Sequence, residues 1–354
     1  MNFRDCFLHQ LSIHRSMRPS DVAKLCYQAA YGAEHLLTDV ERAKRYFDSE
    51  FDSVEERGGD ILELISPSVA RIDLGAWKSA KIPKDWLFNI FLSSATVANG
   101  GRETLLRYLS EAETCLDSSH VGFSRDEWSE FIQAYKNQGM PAIHHSEEYR
   151  QAEKPAYRIV DSKALLLLPI LKRAAELESN PKTKIIAIDG RAASGKSTLS
   201  RLLSAALDAP VVHMDDFFLP PELRSEARLA EAGGNIHYER FADEVLPYIR
   251  SSESFAYKVF DCSQMAFGEE RLVKKSEWRI VEGSYSHHPN FGDYADIRVL
   301  VTVDENTQAE RILERNGERM AEIFKKRWIP MEEAYFDKCE IAKNSDFAIN
   351  TRQK

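Results

Sequence analysis

The chain has 354 residues, 43% of them apolar and 29% charged, and a formal net charge of −9, which is enough for two domains of ordinary size, each with its own core. The acidic balance and the lack of a dominant basic stripe argue against a nucleic-acid partner, while a small anion needs only a local positive pocket. The longest apolar run, "ALLLLPIL" at residues 164–171, is too short to span a membrane, and the opening "MNFRDCFLHQ" holds no apolar signal core, so a cytoplasmic protein is expected.

In chain order, residues 1–150 read as a mainly helical domain of unassigned role. "RPSDVAKLCYQAAYGAEHLL" offers Ser20 as an N-cap and an apolar stripe of Val22, Leu25, Cys26 and Ala29. "SVARIDLGAW" reads as a short strand, and "KDWLFNIFLSSATVA" and "RETLLRYLSEAETCL" as further helices. "SRDEWSEFIQAYKNQG" carries a capping box in Ser124 and Glu127 and a terminating Gly139. Glu34 with His35, and His144 and His145 with Glu147, are His–Glu sets that suit a metal or acid–base chemistry. Without a third spaced ligand, a buried His35 and solvated His144 and His145 are the better expectation. Trp77, Trp86, Trp128 and Tyr135 read as core or interface residues.

Residues 140–157, with two prolines and weak periodicity, read as the connection, so 151–180 is assigned to a linker and connecting helix and 181–354 to a second domain. There, short wholly apolar strands ("KIIAID", "APVVHM", "WRIVEG", "IRVLVTV") alternate with helices. That is the pattern of an α/β fold with a parallel sheet covered on both faces. "GRAASGKS", Gly190–Ser197, fits the phosphate-loop pattern with an apolar strand before it and a periodic helix after it. Gly190, Ala193, Ser194, Gly195, Lys196, Ser197 and Thr198 would turn backbone N–H groups toward phosphate oxygens. Lys196 would reach the β- and γ-phosphates, and the Ser197 hydroxyl would face Mg²⁺.

The next strand ends in "HMDDFF". In a doubly wound sheet the carboxyl ends of neighbouring strands share one crevice, which directs Asp215 and Asp216 toward the phosphate held by Lys196. A carboxylate there accepts the proton of an attacking hydroxyl or holds Mg²⁺; the plainer role is an N-cap. Phe217 and Phe218 would exclude water. In "RIVEGSY", Glu282 should share that edge, as a Mg²⁺–water ligand or as an ordinary strand-terminal residue. In "ERILERNGERMAEIFKKRW", Arg311 and Arg315 share a helical face, Asn316-Gly317 reads as a helix stop, and Arg319 opens a second helix. Such a pair makes a lid over the triphosphate, or a surface helix laced by Glu310, Glu314 and Glu318.

With "IAIDGRAASGKSTLSRLL", "HMDDFFLP", "IVEGSY" and the arginine-rich helices in this order, residues 160–354 resemble the uridine kinase-like family of phosphate-loop kinases. The N-terminal extension resembles one carried by a bacterial subgroup of such chains. The resemblance implies an ATP- and Mg²⁺-dependent transfer of the γ-phosphoryl group to a hydroxyl of a nucleoside-like acceptor. It also implies Asp215 as the base, Lys196 and Ser197 as phosphate and Mg²⁺ ligands, and Arg311, Arg315 and Arg319 as lid arginines. On the acceptor side the chain departs from the family: "YKVFDCSQ" keeps Tyr257 and Asp261 but lacks the family's following His, and "GGNIHYERF" offers His237, Tyr238 and Arg240 instead. Asp216 and Phe217 complete the acceptor candidates. A nucleotide-binding switch without an acceptor is the alternative from another class, and a nucleic-acid kinase a further one. A homo-oligomer is compatible with all of these readings.

Overall fold

The computed structural model describes residues 2–33, 39–96, 100–116 and 121–351. The chain divides into two compact units, Met1–Leu165 and Leu166–Lys354. Glu34 and His35 lie outside the described residues.

In the first unit the described helices are α1 (Phe3–Ile13), α2 (Pro19–Tyr31), α3 (Val40–Ser53), α4 (Leu74–Ser79), α5 (Lys84–Ala95), α6 (Arg102–Leu116), α7 (Arg125–Asn137) and α8 (Glu147–Glu153). They surround an antiparallel sheet of β1 (Leu62–Leu64), β2 (Val69–Asp73) and β3 (Tyr157–Asp161), in that order. The stripe Val22, Leu25, Cys26 and Ala29 of α2 is buried, as are Trp77, Trp86, Trp128 and Tyr135. The start of α2 differs from expectation. Pro19 occupies its first turn, where a missing N–H costs nothing, and Asp21, not Ser20, closes the end by accepting from the Arg18 N–H. The capping box of Ser124 and Glu127 on α7 is present. Tyr157–Asp161 pairs with β2, so part of the stretch read as linker is the third strand of this sheet.

From α9 (Ala164–Glu176), which begins at the boundary, the chain enters an α/β unit. Its strands are β4 (Lys184–Gly190), β5 (Val211–His213), β8 (Trp278–Glu282), β9 (Ile297–Thr302) and β10 (Phe347–Asn350). They form one sheet in the order β10-β9-β4-β8-β5, parallel throughout. Every residue of β4 and β8 is buried, which explains the apolar runs Ile185–Ile188 and Ile280–Val281 at their centres. Helices α10 (Lys196–Leu207), α11 (Glu226–Leu229), α12 (Tyr238–Glu244), α13 (Glu305–Ile323) and α14 (Ile329–Lys338) connect and flank them.

One feature departs from the sequence reading. Residues 255–273, expected to be helical, form an antiparallel hairpin of β6 (Phe255–Asp261) and β7 (Ala266–Val273). A register shift at Lys258/Phe260 breaks the period of β6, and β7 is exposed along most of its length, so neither strand carries a clean alternation. At Asn316-Gly317 the helical path is broken, as the sequence suggested, and a second helical stretch follows. Gly317 adopts φ 74°, ψ 169° inside α13 and kinks it. Among the described residues no helix is long and apolar enough to cross a membrane.

Candidate functional site

The central strand β4 delivers Gly190 to the carboxyl edge of the sheet, and the loop to α10 turns there. Its path needs positive φ at Gly190 (150°), Ala193 (57°) and Gly195 (102°). At Gly190 a Cβ would also collide with the Val301 carbonyl oxygen. The N–H groups of Gly195, Lys196, Ser197 and Thr198 form the free first turn of α10, where donors lack intrahelical acceptors. Lys196 Nζ donates to the Arg191 carbonyl (2.9 Å) and to Ser284 Oγ (3.3 Å), so its ammonium lies folded against its own loop.

The remaining loop groups are tied to the end of the chain. Gln308 Nε2 donates to the Ala192 carbonyl (3.0 Å) and Arg311 Nη1 to the Ala193 carbonyl (3.2 Å) and Thr351 Oγ1 (3.1 Å). The Thr351 hydroxyl donates to the Ser194 carbonyl. From α14, Glu332 accepts from the Ala192 N–H (2.9 Å) and Ser284 Oγ (2.8 Å), while Glu333 takes the Arg191 guanidinium in a two-pronged pair. Loss of hydration pushes the Glu332 carboxyl above its ordinary range, against the opposing charge of Lys196.

The neighbouring strands bring the carboxylates. Glu282 is in register with Ile188 on one side and His213 on the other, which fixes it at the carboxyl edge. Its two oxygens take Ser197 Oγ (3.1 Å) and His213 Nδ1 (3.1 Å). Burial works against ionisation of Glu282, but the His213 hydrogen bond and the Lys196 charge outweigh it and hold the carboxyl below its ordinary range. A hydroxyl and an ionised carboxylate side by side at a phosphate loop are hard oxygen donors of the kind Mg²⁺ takes, so the residues present fit that ion.

Asp215 and Asp216, adjacent in sequence, have different surroundings. The turn 214–217 points Asp216 inward, where its Oδ2 takes Tyr257 OH (2.8 Å) and Arg271 Nη1 (2.5 Å). Asp215 points to solvent and makes no hydrogen bond among the described residues. Protein walls it closely enough that lost hydration pushes its carboxyl up; Lys196 opposes this, and Glu282 and Asp216 add to it. Lys196, Ser197, Asp215 and Glu282 are thus brought together.

Other predicted residues fall elsewhere. Phe217 is a core residue with no exposure, packed on Phe241 and Tyr257. Tyr257 is also buried, and its hydroxyl is committed to Asp216 and the His213 N–H; it positions the aspartate and offers no surface to an acceptor. Asp261 heads the β6–β7 turn, accepting from the Ser263 N–H and Oγ. Arg240 is buried under the Asp216 backbone and paired with Glu244. Tyr238 stacks on His288 at 5.0 Å beneath the Arg228 guanidinium. Arg315 and Arg319 lie exposed on either side of the Gly317 kink, away from the contacts made by Arg311.

Sequence reasoning missed His213, Arg271, Glu332 and Asp189. Asp189 is wholly buried and accepts from the N–H groups of Gly190, Tyr285 and His287 and from Tyr335 OH, which locks the loop after β8 to the phosphate loop. An acid inside an otherwise apolar strand was its signal.

No protein-family model and no curated protein matches the sequence. Among solved structures, the chain is similar to a protein described as a possible uridine kinase from Bacillus stearothermophilus, at 19% identity over 53% of this chain and 100% of that one, with a TM-score of 0.41. It is similar to a provisionally named fructose transport system kinase from Silicibacter sp. TM1040 at 23% identity, 53% and 98% coverage and a TM-score of 0.43. A third likeness, to an uncharacterized protein of Eubacterium ventriosum, has 17% identity, 48% and 88% coverage and a TM-score of 0.27. Likenesses of this size carry no argument about function.

Proposed function

We propose that residues 166–354 transfer the γ-phosphoryl group of ATP to a hydroxyl of a nucleoside-like small molecule. The observation that carries this reading is the division of labour at Asp215-Asp216: one carboxylate is locked into the fold, and its neighbour stands exposed and unbonded near Lys196, its carboxyl pushed above the ordinary range. A carboxylate with a raised pKa and no fixed donor is more basic and leaves its oxygens open to an incoming hydroxyl. A nucleotide-binding switch needs the phosphate loop but has no use for such a group.

In this reading Asp215 takes the acceptor's hydroxyl proton as that oxygen bonds to the γ-phosphorus and the bond to the β-phosphate oxygen breaks, releasing ADP. Lys196 leaves the Arg191 carbonyl for the phosphates. Ser197 and Glu282 would hold Mg²⁺, which supplies charge neutralisation at the phosphate oxygens. Arg315 and Arg319, exposed on either side of the Gly317 break, are placed to fold inward over the nucleotide.

The test is ADP release from ATP and Mg²⁺ across a panel of nucleosides, ribosides, sugars and vitamins, with wild type and Asp215→Asn. Acceptor-dependent turnover that drops at least about a hundredfold in the variant is expected. Tight ATP binding with no acceptor effect, and a variant indistinguishable from wild type, would sink the kinase in favour of the switch.

A further inference from the structure

The first unit contains a second constellation that the phosphoryl-transfer reading does not use. A small cleft opens between β1–β3 and the ends of α1 and α8, lined among others by His14, Glu63, Arg71, Tyr149, Glu153 and Tyr157. Arg71 sits in the middle of β2 and is only 2% exposed. A guanidinium taken out of water needs a counter-charge or a full set of acceptors. Arg71 has neither. Its Nε and Nη2 both donate to one oxygen, Gln28 Oε1 (3.2 and 2.6 Å), its plane lies 4.5 Å over the Tyr157 ring, and among the described residues it makes no ion pair. Gln28 uses the Nε side of the fork, so the edge formed by Nη1 and Nη2 has no protein acceptor. That edge has the geometry that takes a carboxylate by two parallel hydrogen bonds.

The fold holds this group in place through a long relay. Asp21, wholly buried, accepts from His145 Nδ1 (2.8 Å), the Ser146 N–H (3.0 Å) and Ser146 Oγ (2.5 Å). His145 Nε2 meets Tyr157 OH at 2.7 Å, and Tyr157 OH meets the Gln28 amide that holds Arg71. His145 is therefore not solvated, as the sequence suggested, but is buried between Asp21 and Tyr157. The positive charge is felt locally: burial first, and then Arg71, lower the Lys24 ammonium to about 8. A network of this kind fixes polar groups in place at a cost that apolar packing would avoid.

The wall facing Arg71 has the opposite character. His14 bridges Glu63 (3.2 Å) and Glu153 (3.2 Å), presenting two carboxylates at the rim. A ligand that satisfies both walls carries an anion at one end and hydrogen-bond donors at the other. We infer that this cleft binds a small amino or hydroxy acid, its carboxylate on the open edge of Arg71 and its ammonium or hydroxyl on Glu63 and Glu153. The site stands apart from the nucleotide chemistry and does not rest on it.

The test uses the full chain and calorimetric titration with the common amino acids, glycolate, lactate and malate, each beside its neutral amide, and with inorganic phosphate and acetate. At least one amino or hydroxy acid is expected to bind, its amide not. Arg71→Gln should weaken that binding at least tenfold. Glu63→Gln, at a half-exposed rim position that the fold tolerates more readily, should weaken it while leaving any acetate binding unchanged. Failure of every acid on wild type overturns the inference, as does undiminished binding to a folded Arg71→Gln protein. Binding of phosphate alone, sensitive to Arg71, would overturn the carboxylate assignment. If Arg71→Gln does not fold, the wild-type panel and Glu63→Gln decide.

Discussion

The contrast between Asp215 and Asp216 shows how one peptide bond can separate two electrostatic fates. Asp216 accepts hydrogen bonds from Tyr257 and Arg271, whereas Asp215 accepts none among the described residues and its carboxyl is pushed up. The sign of the pH effect follows. A carboxyl whose pKa is raised on folding holds its proton more tightly in the folded state, so stability is greatest at low pH. Stability falls as pH rises from the ordinary value of about 3.9 through the folded value. Above that range the native protein carries an unpaired charge beside the like charges of Glu282 and Asp216. Asp215→Asn, which abolishes a base, is therefore expected to raise Tm at pH 8, with the gain vanishing below about pH 4. Thermal melts of both proteins across pH 4 to 8 measure it; a variant that melts lower than wild type at pH 8 would mean that Asp215 is paired after all. The stability gain and the lost turnover would then be two faces of one group.

At the scale of elements, the β6–β7 hairpin does for Asp216 what no single residue could. Its register sets Tyr257 directly opposite Arg271, and both donors converge on one oxygen of Asp216. Tyr257→Phe should cost about 1–2 kcal/mol, and Arg271→Ala about 1–3 kcal/mol given its partial exposure. Because the donors share one acceptor, the double variant should fall short of or exceed the sum by at least about 0.5 kcal/mol. Urea unfolding of the four proteins checks this, and strict additivity would show that the two bonds act separately. This hairpin also marks where the sequence stops being legible. The strand–loop–helix around Lys196 is written in local signals, namely a continuous apolar strand, glycines where φ is positive, and a periodic helix. The arrival of Glu282 beside Ser197 follows from the sheet rule that gathers strand ends. By contrast β7 is mostly exposed and carries no alternation, so nothing local announces a strand, and Arg271 reaches Asp216 across 55 positions of chain. The same holds for His145, whose partner Asp21 lies 124 positions away. Pairings of that range are set by packing, which composition and periodicity do not record.

The whole molecule joins two units, each with its own buried core, and each with a polar site built on strands that position a basic group. In the second unit the core runs from Val212 and Val281 through Phe241 to Tyr335, and the phosphate loop sits at its sheet edge. In the first unit the sheet carries Arg71. If each core is a cooperative unit, ligands should act on them separately. ATP with Mg²⁺ at a hundred times its Kd should stabilise residues 166–354 by about 2.7 kcal/mol, a shift of roughly 5–10 °C for a unit of this size. The transition of residues 1–165 should stay where it is. An amino or hydroxy acid that fills the Arg71 cleft should do the reverse. Scanning calorimetry of the intact chain with each ligand alone and with both measures the two effects. A single transition that both ligands raise would show that the cores melt as one, and the two sites would then be linked through shared stability, each ligand favouring the folded state on which the other depends.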